Sequence, residues 1–84
     1  MTITHEDIRR WLEEGKNDKD ITHMLVVCDT FSYEDYPVYV SRSENLREEF
    51  QKYNGQNMQK VMEVYSYNKG LEAQLNENRT FNFD

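Results

Sequence analysis

The densest group of side chains capable of chemistry or adhesion is Asp29-Thr30-Phe31-Ser32-Tyr33-Glu34-Asp35-Tyr36, three acids interleaved with three aromatics. Carboxylates at 29, 34 and 35 are hard oxygen ligands. Their spacing matches no calcium loop, and the glycine such a loop needs for its sharp turn is missing, so no metal is expected here. Asp18-Lys19-Asp20 fails the same test. Phe and Tyr supply rigid contact area, and acids select a basic partner surface. Phe31 and Tyr36 could instead fold back onto a core and leave the acids merely hydrated. For the segment as a whole the reading is partner contact through Asp29, Phe31, Tyr33, Glu34, Asp35 and Tyr36, because polar-aromatic loops on a scaffold often bind.

A second set is Tyr33, Tyr36, Tyr39, Tyr65 and Tyr67 with Arg42, Arg47 and Arg79. Aromatic faces stack nucleobases and arginine forks hold phosphate, so these residue types can make a nucleotide pocket. Tyr39, Tyr65 and Tyr67 can equally pack on one sheet face as cross-strand neighbours. Nucleophilic chemistry finds less support. His23 and Cys28 lie five residues apart on one strand, hence on opposite faces, and His5 reaches Cys28 only if the fold brings it there. Cys28 reads as a small buried hydrophobe. With no C-x-x-C, a structural zinc site is not expected. Gly15, Gly55 and Gly70 are isolated, which speaks against a phosphate-cradling loop or a dinucleotide fingerprint. Glu13-Glu14 and Glu48-Glu49 read as solvated helix faces.

The elements that must position these groups follow from periodicity. Ile8, Trp11 and Leu12 form a helical stripe, with Thr4 as N-cap, Ile3 and Ile8 as a hydrophobic staple and Gly15 as the stop, which predicts a helix over 5–14. Residues 22–29 are apolar on both alternating faces, Met24, Val26 and Cys28 against Leu25 and Val27, as in a strand covered on both sides. Residues 37–40 give a second strand, with Pro37 at its start or on an edge. The loop 30–36 is short enough for an antiparallel hairpin. Leu46, Phe50 and Tyr53 mark a second helix, capped by Ser43 or Ser41 and stopped at Asn54-Gly55. Residues 59–67 give a third strand. A short third helix is predicted from a cap at Asn68, carries Leu71 and Leu75 and ends near Arg79. The two Phe of the tail TFNFD would be costly to leave in water together. The expected architecture is a single α+β domain over 1–84: a three-stranded, mainly antiparallel sheet with two or three helices, in the order α-β-β-α-β-α.

Composition narrows the partners. Sixteen Asp and Glu against ten Lys and Arg give a net charge of −6, which disfavours nonspecific nucleic-acid binding. Eighty-four residues suffice for one small domain, and 13% aromatics supply burial that a disordered chain lacks. One cysteine forbids an internal disulfide and suggests a reducing compartment. The start of the chain has no apolar signal region, and the longest apolar run, Met24–Cys28, is far too short to span a membrane. A soluble cytoplasmic protein is expected.

The block THMLVVCDTFSYEDYPVYV (22–40) resembles a family of small phage and prophage proteins. So does VMEVYSYNKGLEAQLNENRTF, with its E-x-Y and Q-L-x-E-x-R elements at Glu63, Tyr65, Gln74, Leu75, Glu77 and Arg79. The resemblance carries over no catalytic residue. It implies a mobile-element setting, in the host cytoplasm, and binding of a host factor or sequestration of a signalling nucleotide. The expected function is therefore a non-enzymatic accessory protein without cofactor or metal, which holds a basic host protein through residues 29–36 and the adjacent strand edge. The alternative is a nucleotide-type ligand held by Tyr39, Arg42, Arg47, Tyr65, Tyr67 and Arg79, in one copy or at a homo-oligomer interface. A minimal hydrolase is disfavoured, since no base–nucleophile or metal set is apparent.

Overall fold

The strand at 21–29 is apolar on both faces because it lies in the middle of the sheet with helices on either side. A computed structural model describes residues 5–55, 58–77 and 80–83. The elements are α1 (His5–Lys16), β1 (Ile21–Asp29), β2 (Glu34–Ser41), α2 (Leu46–Tyr53), β3 (Gln59–Ser66) and α3 (Leu71–Leu75), the α+β order expected. The sheet order is β2-β1-β3, and both pairings are antiparallel. The α2 segment is thus the crossover that carries the chain from one side of β1 to the other.

Alternation along β1 splits the core in two. Met24 and Val26 join Ile8 and Leu12 of α1, Tyr65 of β3 and Leu75 of α3 on one face. Leu25 and Val27 join Val40, Val61 and Val64 on the other, where Leu46, Phe50 and Tyr53 of α2 lie against them. Burying a Val or Leu side chain contributes roughly 1.5–3 kcal/mol, so these two clusters dominate the stability.

Several boundaries differ from the sequence reading; α3, for one, ends at Leu75 rather than near Arg79. Gly15 does not stop α1; the helix runs through it to Lys16, and Gly15 is buried. A Cβ at Gly15 would collide with the Tyr67 hydroxyl oxygen and lie 2.6 Å from Tyr39 Cε1, so this glycine serves close packing rather than a turn. The N-cap of α2 is Asn45, whose side chain accepts from the Glu48 N–H, not Ser43 or Ser41. Ser41 and Glu44 do pair, with the Glu44 carboxylate accepting from the Ser41 N–H at 2.9 Å, but in the turn before the helix. Asn68 does not cap α3; Gly70 holds that position without a side-chain bond. The expected Thr4 cap, the Ile3 staple and Arg79 lie outside the described residues.

The tail meets the outer side of β3 at Val64. Val64 N–H donates to Thr80 O at 2.7 Å and Asn82 N–H to Val64 O at 3.0 Å, a short parallel bridge. Phe83 then meets Phe50 edge-on at 5.4 Å, under the Arg47 guanidinium at 5.7 Å, while Phe81 stays 42% exposed. Gln74 locks α3 to β3 from inside: its side-chain oxygen accepts from Ser66 N–H and its amide donates to Ser66 O, both at 2.8 Å. On the far side of the sheet, among the described residues, β2 has a ladder only with β1, and Pro37 sits in it opposite Val26 without an N–H.

Candidate functional site

The hairpin that carries the acidic-aromatic segment is tighter than the sequence suggests. Pairing continues to Asp29 opposite Glu34, so the loop is Thr30 to Tyr33, and Glu34, Asp35 and Tyr36 belong to β2. Asp29 organises the turn. Its carboxylate accepts from Phe31 N–H at 2.8 Å and Ser32 N–H at 3.2 Å, and its carbonyl from Tyr33 N–H at 2.7 Å. Short Asx side chains close turns in this way. Thr30 ties the tip to the start of β3, since both its N–H and its hydroxyl donate to Met58 O, at 2.7 and 2.9 Å.

The consequence is an exposed apolar tip. Phe31 is 77% exposed, Tyr33 68% and Met58 62%. Tyr33 and Met58 both hold left-handed backbone, at φ 59° and 60°. That region costs a non-glycine residue roughly 1–2 kcal/mol, and glycine or asparagine is the usual occupant. Large side chains standing in it, in water, are a local cost that folding alone does not require. Glu34 is exposed beside this tip and Asp35 half-buried. Tyr36 is not part of the exposed surface: it packs against the α2-side core and its hydroxyl accepts from Gln59 Nε2. Met58 escaped the sequence reading; its signal was a bulky apolar residue in an otherwise polar connection before a strand.

The tyrosine–arginine set does not assemble. Tyr65 is 1% exposed and donates to Glu63 at 3.1 Å. Tyr39 and Tyr67 pack beside it under α1, and their hydroxyls donate to the carbonyls of Trp11 at 2.7 Å and Leu12 at 2.8 Å. Arg47 sits on the opposite face of the sheet, over Phe83. Among the described residues of that group, Arg42 and Tyr67 line a common cleft, at the other end of β1 from the hairpin tip. Tyr65 is core, and Tyr39 and Tyr67 pack half-buried against it.

Their burial has a pH consequence. Burial raises the ionisation of Tyr65 above the usual tyrosine value, with the Glu63 charge adding to it, and burial does the same for Tyr67. The folded state therefore keeps protons that the unfolded state gives up. This stabilisation is fully present below about pH 10, the ordinary tyrosine value, and is lost as pH rises above it. The melting midpoint should show no tyrosine-linked change up to about pH 9 and fall above about pH 10, with phenolate absorbance appearing together with unfolding. Phenolate absorbance complete well before any loss of helical signal would show that these hydroxyls are not buried.

Cys28 and His23 stand on opposite faces of β1, as alternation requires. The Cys28 thiol is pushed up first by burial, then by a hydrogen bond and negative charge from Asp35 and by the charge of Asp29, so little thiolate exists at neutral pH. His23 is buried with its ring Nδ1 2.9 Å from the Thr22 hydroxyl. Among the described residues no group of three His, Cys, Asp or Glu side chains is arranged to hold a metal ion, and no helix is long and apolar enough to cross a membrane. No family model, curated protein or solved structure matches this chain.

Proposed function

We propose that this chain is a non-enzymatic accessory protein of phage type that holds a partner protein against the hairpin tip. The observation that carries the reading is the exposed Phe31 and Tyr33, the latter in left-handed backbone. Met58 widens the apolar contact, and Glu34 and Asp35 beside it favour a partner whose surface there is basic. Asp29 contributes by shaping the turn, with one carboxylate oxygen already engaged by two backbone N–H groups. The strand edge of β2 adds little, because Pro37 cannot donate to an added strand. The phage setting rests on the resemblance of residues 22–40 and 61–81.

The test is retention of basic proteins from host lysate by the immobilised chain, quantified by mass spectrometry for four forms. Phe31→Ser/Tyr33→Ser should abolish retention, since buried aromatic anchors each carry about 2 kcal/mol or more of binding. Glu34→Gln/Asp35→Asn should weaken it and reduce its sensitivity to salt. Lys52→Gln on α2 should leave it unchanged. Equal retention by the wild type and the Phe31→Ser/Tyr33→Ser form, with both folded by circular dichroism, overturns the proposal.

A further inference from the structure

The cleft at the opposite end of the sheet collects positive charge in an otherwise acidic molecule. It lies where the α1–β1 connection, the turn after β2 and the turn after β3 meet, and it encloses about 540 Å³, within the size range of small-molecule sites. Among the described residues Lys16, Lys19, Arg42 and Lys69 line it, with Asp18 as the one acid. Such a clustering of one sign in a concave surface focuses the field and attracts the opposite charge.

The walls are held in place by backbone bonds. Arg42 N–H donates to Asp20 O at 2.6 Å and its guanidinium donates to Lys19 O at 3.1 Å, which fastens the turn after β2 onto the α1–β1 connection. A guanidinium has five donors, so most of the fork remains for a ligand. Asp18 is turned into its own loop, where its carboxylate accepts from Asp20 N–H at 2.9 Å. Tyr67 N–H donates to Thr22 O at 2.9 Å and its hydroxyl to Leu12 O, so the ring forms a fixed wall rather than a mobile gate. Among the described residues no ion pair joins Lys16, Lys19 or Arg42 to a carboxylate, whereas Arg9, Arg10 and Lys52 all have acidic partners.

We propose that this cleft binds a small ligand carrying two or more adjacent phosphoryl groups. Lysines supply point charges and Arg42 a planar fork for phosphate oxygens, and Lys16, Lys19 and Arg42 together exceed what one monoanion neutralises. The site is independent of the hairpin tip, which lies at the other end of β1.

The experiment is titration of the full chain at low salt with pyrophosphate, ADP and adenosine, read by calorimetry and by the melting midpoint. Pyrophosphate and ADP should both bind and raise the midpoint by mass action, and adenosine should do neither. ADP binding more tightly than pyrophosphate identifies a nucleotide as the source of the phosphoryl groups; equal affinity identifies an inorganic polyphosphate. Lys16→Gln/Lys19→Gln, both at exposed positions, should weaken ADP by about tenfold or more while leaving the ligand-free midpoint in place. Phe31→Ser/Tyr33→Ser should respond to ADP like the wild type. No response to either phosphate compound at 10 mM (roughly the weak end of the millimolar range), or an undiminished response in the lysine double variant, overturns the proposal. If the lysine variant unfolds, Arg42→Gln takes its place with the same expected loss.

Discussion

Replacing Gly15 by alanine should destabilise this protein by about 2–3 kcal/mol, a change that in most helix interiors stabilises by up to about 1 kcal/mol. The sign is reversed by what lies over the helix. A Cβ at residue 15 would meet the Tyr67 hydroxyl oxygen and two Tyr39 ring carbons at 2.6 and 2.8 Å. Neither ring can swing aside cheaply, because each hydroxyl is anchored to a carbonyl one turn back along α1, those of Trp11 and Leu12. Shifting a ring gives up its hydrogen bond, about 1 kcal/mol, and takes the partner from a half-buried tyrosine hydroxyl. Lifting the helix instead opens the packing of Ile8 and Leu12 on β1. For a domain of this size the midpoint should drop by roughly 10–20 °C. Tyr67→Phe removes the nearest obstructing atom, so the cost of Gly15→Ala should be smaller in that background, a coupling that a double-mutant cycle measures. A Gly15→Ala midpoint at or above that of the parent would show that the tyrosines do not clamp the helix as described.

Gln74→Leu should cost about 3 kcal/mol although the volume is nearly kept and the residue is far from any surface. The Gln74 side chain stands in for a missing strand neighbour, accepting from Ser66 N–H and donating to Ser66 O at 2.8 Å. It also accepts from Asn82 Nδ2 at 3.0 Å, so the tail is fixed to the same amide. Both Ser66 and Gln74 are within 2% of complete burial, which leaves no water to replace the lost partners. Leucine would remove both Gln74 bonds to Ser66, whose carbonyl keeps the longer bond from Lys69 N–H at 3.4 Å, at roughly 1–3 kcal/mol for each bond lost, offset in part by the apolar area it adds. Amide hydrogen exchange at Ser66 and Val64 should quicken more than at Val26, on the central strand. Unchanged stability in urea would mean the tail and α3 are held by their apolar contacts alone.

The layered α+β arrangement was legible because burial imposes periodicity. The double-sided apolar run of β1 demands cover on both faces, and the stripes Ile8–Leu12 and Leu46–Phe50–Tyr53 supply one helix for each. Local rules failed where a tertiary contact replaced the ordinary role of a residue. A glycine in a helical pattern reads as a stop, yet Gly15 is inside the helix to admit two rings. Glu34 and Asp35 are poor strand formers, so the hairpin looked three residues longer than it is. The exposure of Phe31 and Tyr33 could be reasoned about but not fixed, since the same aromatics would serve equally well as core, as Tyr36 and Tyr65 do. The basic cleft had no sequence signature at all: Lys16, Lys19, Arg42 and Lys69 meet only once three separate connections fold to one end of the sheet.

The charged and proline-bearing flank of β2 bears on how this protein behaves when crowded. A strand with a partner on one side only offers a row of unsatisfied amides to a second molecule, the seed of filament growth. Glu34 and Asp35 would put like charges against each other in a self-pairing, and Pro37 breaks the run of donors midway. On the β3 flank residues 80–82 already engage the backbone of Val64, so part of that edge is occupied as well. Self-pairing along the flanks is thereby discouraged, while the hairpin tip stays open to a selective contact.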